Sequence, residues 1–266
     1  MPQEMLLAFA ISLAIVVVAF WRGSLSTSGA IGALVVGTLI FGFGGWEWGI
    51  LLGVFFVSSS LLSHFREEDK RIAAEKFDKG HRRDIGQVFA NGGLGSVIAV
   101  LSYLTLWAGW FPMFVGVMAT VTADTWATEL GTLAKRPPRL ITTGQQVEVG
   151  SSGGVSPMGT AASATGGLIV GLLAGLLVPG LSTTGATLMG TLGGLAGSVI
   201  DSLLGATIQQ IYYCDNCQKD TERKVHKCGH DTRPLRGWSW LNNDLVNLLA
   251  SAAGGIVALV IWQMLL

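Results

Sequence analysis

The sequence is short of charge. Only 13% of its 266 residues are Asp, Glu, Lys or Arg, against 50% hydrophobic, and apolar runs of about 15 to 20 residues recur along it. That balance excludes an ordinary soluble domain and indicates a polytopic membrane protein. Net charge is zero, so nothing in it asks for nucleic acid as a partner. The first apolar run lacks a basic segment ahead of it and a plain small-x-small site behind it, so it is expected to be a retained helix rather than a cleaved signal. No Gly-Lys-Ser/Thr follows any glycine-rich stretch, which excludes a Walker phosphate loop. Cysteine is absent everywhere except in one connection near the C-terminus.

Glycine is abundant, at 37 residues, and lies mostly inside the apolar runs, where small residues let helices approach closely. The runs fall at about 5–21, 29–45, 48–63, 92–108, 111–131, 158–178, 185–212 and 241–266. The expected fold is therefore all-α: one membrane domain over 1–266, with about eight transmembrane helices in a Gly-rich bundle. If the spans alternate, all 17 Lys and Arg fall in the connections on one side, from Arg22 to Arg236. By the positive-inside rule that side is cytoplasmic, and the N and C termini lie outside. The cytoplasmic connections are 64–90, read as mostly a solvated helix, then a Gly/Ser loop over 132–157 and a Cys/His loop over 213–237. The outward connections are too short to bind much.

Asp124 and Glu129 stand in GVMATVTADTWATELG, before the chain has left the bilayer. A carboxylate at that depth costs roughly 2.5 to 3.5 kcal/mol on insertion scales, so it marks a functional site whose partner must be found. Asp201 interrupts the seventh run in the same way, and the eighth opens with WLNNDLVN, bringing Asn243, Asp244 and Asn247 to a similar depth. Such acids repel one another unless a cation holds them. Carboxylate and amide oxygens suit Mg²⁺, which is expected at Asp124, Asp201 and Asp244, with Glu129 as an auxiliary acid. Arg82 and Arg83, beside Asn91, Gly92 and Gly93 at the opening of the fourth run, are either an anion site or anchors to acidic headgroups. GSSGGVSPMGT, with Gly153, Gly154, Ser156 and Pro157 at a first helical position, is either a phosphate loop or a plain helix cap. LSTSGA, VSPMGT and LSTTGA share an apolar-Ser-x-x-Gly-small pattern that hints at an internal repeat. Together these residues describe a phosphoryl- or nucleotidyl-transfer site at the membrane surface. A transporter is the non-enzymatic alternative, since broken Gly-rich helices and intramembrane acids also describe carriers.

QVFANGG, ADTWATELG, SSGGVSPMGT, IDSLLGA and WLNNDLVN, in this order and over almost the whole chain, resemble the integral-membrane family of plant phytyl-phosphate kinase and animal transmembrane protein 19. They are more distantly similar to CTP-dependent polyprenol kinases and CDP-lipid synthases. The resemblance implies phosphoryl transfer from a nucleoside triphosphate, with CTP among the donors, to a polyprenyl or phytyl monophosphate. A CDP-lipid cytidylyltransferase is the alternative enzyme. The family's loop carries Thr-Asn where this chain has Ser151-Ser152. The expected partners are a nucleoside triphosphate, an isoprenoid lipid phosphate and the membrane, and a homodimer is compatible with the sequence.

Cys214 and Cys217 have C-x-x-C spacing, followed by His226, Cys228 and His230 as H-x-C-x-H. Three thiols and one imidazole would make a closed structural Zn²⁺ site, with His226 or His230 as fourth ligand; a redox C-x-x-C and a loop without metal are the alternatives. The family's H-x-C-G arrangement implies His226.

Overall fold

The computed structural model describes residues 2–74, 76–77 and 82–265. It is mostly helical. α1 (Pro2–Trp21) is a single apolar run that ends before Gly23, whose φ of 75° turns the chain back. α2 (Thr27–Leu39) continues through a π turn at Ile40–Gly44, and α3 (Trp46–His64) follows Gly45. A 3-10 turn at Glu67–Lys70 and α4 (Arg71–Ala74) precede α5 (Ile85–Thr105) and α6 (Trp110–Gly131). A two-stranded antiparallel sheet, β1 (Arg139–Leu140) with β2 (Gly154–Val155), leads into α7 (Pro157–Leu177) and α8 (Thr183–Thr207). β3 (Ile211–Cys214), β4 (Lys219–Thr221) and β5 (Arg233–Arg236) form an antiparallel sheet of order β4-β3-β5 ahead of α9 (Asn243–Met264).

Among the described residues, seven helices are long and apolar enough to cross a membrane; the eighth long helix, α6, is not among them. Its last two turns carry Asp124, Glu129, Thr125 and Thr128, which lower its hydropathy. It tolerates them because it is the hub of the bundle, packed against α3, α5, α7, α8 and α9 and buried without a break from Phe114 to Ala123. Its first half meets protein rather than lipid, and the buried run stops at Asp124.

Glycines set the spacing around that hub. A methyl group on Gly116 or Gly193 would strike the carbonyl of Gly254, so α6, α8 and α9 meet backbone to backbone. Thr120 Oγ1 donates to the carbonyl of Gly116 at 2.9 Å and reaches that of Gly193 at 3.2 Å, satisfying its hydroxyl inside the bundle.

The three Ser-x-x-Gly segments prove to be one capping device used three times. Ser26, Ser156 and Ser182 each accept a hydrogen bond from the N–H of the glycine three residues on, at 3.1, 3.1 and 3.2 Å. The pattern marks helix starts and needs no duplication to explain it.

Two expectations are corrected here. The fourth span begins at Ile85, not near Asn91, because Asp84 and Gln87 form a capping box, with Gln87 N donating to Asp84 Oδ1 at 2.9 Å. The 64–90 connection is not a solvated helix in its described part, and residues 75 and 78–81 lie outside that part. Lys70 and Lys76 are 8% and 4% exposed, pulled inward by acids on other segments.

The basic connections gather on one face. Ser26 N donates to Arg83 O and Arg83 N to Ser24 O, both at 3.0 Å, joining the α1–α2 turn to the chain two residues ahead of α5. Lys76 Nζ donates to Ser151 Oγ at 3.0 Å, lies 2.9 Å from Glu148, and binds Asp220, so three connections share one buried ammonium. Ser152 Oγ donates to Gln209 Oε1 at 2.7 Å. The result is a folded polar cap over one end of the bundle.

Candidate active site

Beneath that cap lies a cavity of about 1080 Å³, bounded by α3, α5, α6, α7, α8, α9 and the capping segments. Asp124 from α6, Asp201 from α8 and Asp244 from α9 all line it. The depth argument made for separate runs is thus realised as one chamber. Asp124 and Glu222 both lie close enough to Asp201 for their charges to act on it. Asp201 Oδ2 is buried and has no hydrogen-bond partner among the described residues. A buried carboxylate oxygen beside two further carboxylates is of the chemistry that Mg²⁺ takes, although among the described residues no three acids bring their oxygens within 4.8 Å of one another.

Amides and cations form the walls. Asn243 and Asn247 line the chamber from α9, while Asn242 is spent on capping that helix, its Oδ1 accepting from Leu245 N at 3.1 Å. Asn91 lines it from α5, with its Nδ2 donating to Gln87 O at 3.0 Å. Arg83 reaches it from the start of α5. Its guanidinium lies 5.7 and 5.6 Å from the ring centroids of Phe55 and Phe56, and Nη1 donates to Ser60 Oγ at 3.1 Å. Burial lowers the Arg83 guanidinium to about 10, with the nearby Glu129 charge pulling the other way, so it stays a cation at neutral pH.

Gly153, Gly154 and Ser156 line the chamber from the β2 hairpin and the start of α7. This loop is clamped rather than slack. Gly153 has a φ of 82°, and a methyl group on it would strike Ala206 of α8. Gly154 N donates to Ser151 O at 3.0 Å and Ser156 Oγ is used as the α7 cap.

Three expected residues stand apart from the chamber. Gly92 faces Val36 of α2 and Gly93 faces Phe89, both inside α5, where helical hydrogen bonds already occupy the backbone N–H groups. Arg82 is exposed and, among the described residues, its side chain donates to the Leu25 carbonyl at 3.4 Å. The anion-binding start expected there is filled instead by the chain's own Asp84. Glu129 does line the chamber, but it is held by Lys70 Nζ on one oxygen and by Ser63 Oγ at 2.6 Å on the other. It pins the α3–α5 connection to α6.

Sequence reasoning missed Glu222, Lys70, Arg223, Lys224 and Lys227, all lining the chamber. Four of the five stand in a charged run of the Cys/His loop that reads as solvated surface, and only the packing of β4 against the 76–77 segment turns it inward. Glu222 N donates to Lys76 O at 2.9 Å and Arg223 Nε to Phe77 O at 2.8 Å.

In that same loop the ligand atoms of Cys214, Cys217, His226 and Cys228 all lie within 4.8 Å of one another. Cys214 Sγ is 3.6 Å from Cys228 Sγ, and His226 Nδ1 is 3.2 Å from it. Tetrahedral zinc, with Zn–S near 2.3 Å, places sulfurs about 3.8 Å apart, so the four residues fit that ion. Hydrogen bonding from His226, then from the His230 backbone, draws the Cys228 thiol down to about 5, while hydrogen bonding with Cys228 pushes Cys217 up to about 11. His230 lies outside the four-residue group; its carbonyl accepts from His226 N at 2.9 Å.

A helical bundle of apolar spans with a polar, acid-floored chamber under a folded cap defines a multi-pass integral membrane protein. The chain belongs to the integral membrane protein DUF92 family, whose profile matches residues 10–255. It is 34% identical to Protein PGR of Arabidopsis thaliana over 94% of this chain and 93% of that one. It is 32% identical to an uncharacterized membrane protein of Methanocaldococcus jannaschii, over 90% of this chain and 86% of that one. It is 25% identical to Protein VTE6, chloroplastic, of Arabidopsis thaliana, over 91% of this chain and 66% of that one. No solved structure matches it.

Proposed function

We propose that the chamber carries out Mg²⁺-dependent phosphoryl transfer from a nucleoside triphosphate, CTP being the first donor to test, to a polyprenyl or phytyl monophosphate. The observation that carries this reading is the convergence of Asp124, Asp201 and Asp244 from three helices on one chamber that Arg83 and Lys70 also line. The similarity to Protein VTE6, with the motif resemblance to phytyl-phosphate kinase, supports the same class of reaction.

Asp124, Asp201 and Asp244 would hold the ion, with Glu222 beside them. Bound Mg²⁺ would neutralise phosphate charge and align donor with acceptor. The acceptor's phosphate oxygen is already anionic, so the chain need not supply a strong base; it needs to position and screen. Arg83 offers guanidinium donors to a phosphate, and Asn91, Asn243 and Asn247 offer amides. The acceptor oxygen forms a bond to the terminal phosphorus of the donor as the bridging P–O bond breaks, giving the lipid diphosphate and a nucleoside diphosphate. Zn²⁺ at Cys214, Cys217, His226 and Cys228 is structural in this reading and holds the loop that bears Glu222. The basic cap is the cytoplasmic face.

The test is incubation of the purified protein and Mg²⁺ with prenyl alcohols, prenyl monophosphates and four nucleoside triphosphates, with products identified by mass. Lipid diphosphate plus nucleoside diphosphate is expected. CDP-lipid plus pyrophosphate would make the protein a cytidylyltransferase, and no nucleotide consumption with any lipid would sink the enzyme reading. Solute uptake into proteoliposomes that survives Asp124→Asn and Asp201→Asn would make it a carrier.

A further inference from the structure

A second, apolar pocket runs between α1, α2, α3 and α5. Ile15, Val16, Ala33, Val36, Leu52 and Phe56 give it a hydrocarbon wall. One wall runs from Ala33 of α2 to Phe41 of the π turn, and the wall on α5 from Arg83, just ahead of that helix, to Gly92. At 1.5 Å per residue either wall is roughly 12 Å long, under half of one hydrocarbon core's depth, and the pocket encloses about 70 Å³. Ile15 on its edge is 38% exposed, so the pocket is a groove open sideways to lipid.

Arg83, Gln87 and Asn91 line both this groove and the polar chamber, so the two spaces meet at those three side chains. Arg83 is 9% exposed, and among the described residues its guanidinium makes one side-chain hydrogen bond, to Ser60. A buried cation with donors to spare marks the place for an anion, and the aromatic faces of Phe55 and Phe56 leave the groove side apolar. An amphiphile with a phosphate head and a single long tail matches a cationic seam with a polar chamber on one side and a hydrocarbon groove on the other.

We infer that this groove seats the head-proximal part of the hydrocarbon tail of a lipid monophosphate whose head enters the chamber past Arg83, the rest of the tail lying in lipid. The inference rests on the chamber being a phosphate site, and it names the substrate class by its shape. Gly53 lines the groove, and a Cβ added to it meets nothing within 4 Å. Gly53→Leu therefore adds bulk at the groove from a position where the Cβ itself meets no protein atom.

The experiment measures binding without nucleotide, so that it stands apart from turnover. Protein in phosphatidylglycerol nanodiscs is titrated with a C20 prenyl monophosphate and with a C5 one, and a diazirine-tailed C20 prenyl monophosphate is photo-crosslinked and mapped by mass. Crosslinks to peptides of α1, α2 and α3 that line the groove are expected. Gly53→Leu should lower the ratio of C20 to C5 affinity about tenfold, the loss of roughly two buried methylenes. Crosslinks elsewhere in the bundle, or an unchanged ratio in Gly53→Leu, would overturn the assignment even if the protein turns over substrate. Crosslinks in the groove that excess C20 prenyl monophosphate fails to compete away would also overturn it, because bilayer lipid would then be the occupant. A groove that binds the tail while no nucleotide is consumed would leave this inference standing and remove the kinase.

Discussion

Gln209 donates its side-chain amide to Glu222 Oε1 at 2.7 Å, so the residue just beyond α8 holds an acid from the Cys/His loop over the chamber. Gln209 is itself fixed by Ser152 of the Gly/Ser loop, which makes it the joint between two capping segments. Glu222→Ala and Gln209→Ala should each reduce transfer by about 10- to 100-fold, the usual cost of losing support around a metal site. Initial rates at saturating nucleotide check this; a wild-type rate in Glu222→Ala would remove that acid from the site.

Asp201 should trade stability for function. Its Oδ2 is buried without a donor among the described residues and lies within the charge fields of Asp124 and Glu222. Asp201→Asn should abolish transfer yet raise the Tm of metal-free protein, by about 2 to 4 °C for each kcal/mol of repulsion relieved. Asp124→Asn should likewise remove activity while leaving a folded protein in the membrane. Thermal unfolding in detergent with and without Mg²⁺ measures both, and a large fall in Tm would mark these acids as packing groups.

Lys70 and Glu129 form an ion pair whose side chains are only 10% and 20% exposed. Removing one partner strands the other, so Glu129→Gln should cost about 3 kcal/mol, and adding Lys70→Met should recover much of it. A double-mutant cycle on unfolding free energy reads this. If Glu129 acts in the chemistry as well, the double variant will be stable but slow.

One zinc per chain is expected in purified protein. Cys217→Ser or Cys228→Ser should lower that content and loosen the loop from β3 to β5, seen as faster amide exchange there. Stoichiometric metal analysis decides it, and absence of zinc with a harmless Cys217→Ser would end the proposal.

Gly153→Ala should destabilise the Gly/Ser loop, because its φ of 82° disfavours an L residue and the new methyl group meets Ala206. A drop of about 1 to 3 kcal/mol is expected in unfolding free energy. An unchanged loop would show that the clamp is looser than its geometry.

The apolar runs, the confinement of every Lys and Arg to alternate connections, and the costly acids at 124 and 201 were legible along the chain, because burial in lipid acts on each residue by itself. The family resemblance was legible for the same reason, as its motifs are local. Helix starts were partly legible. Ser156-Pro157 announces α7, but Asp84 and Gln87 sit in a charged stretch that hides the true start of α5. Asn91, Gly92 and Gly93 therefore looked like a helix opening when they lie inside one.

By itself, then, the sequence determined an integral membrane bundle with acids at one depth and polar connections on one side. Only the tertiary structure decided which of those groups meet at the chamber. Asp124, first read as one costly acid in an apolar run, is where the buried core of α6 gives way to the chamber, across from Asp201. Glu222 comes to the same place from a loop that looks solvated, and Arg83 joins the chamber to an apolar groove. Such meetings depend on helix packing and on loops folding over one another, long-range choices that no local pattern of residues encodes.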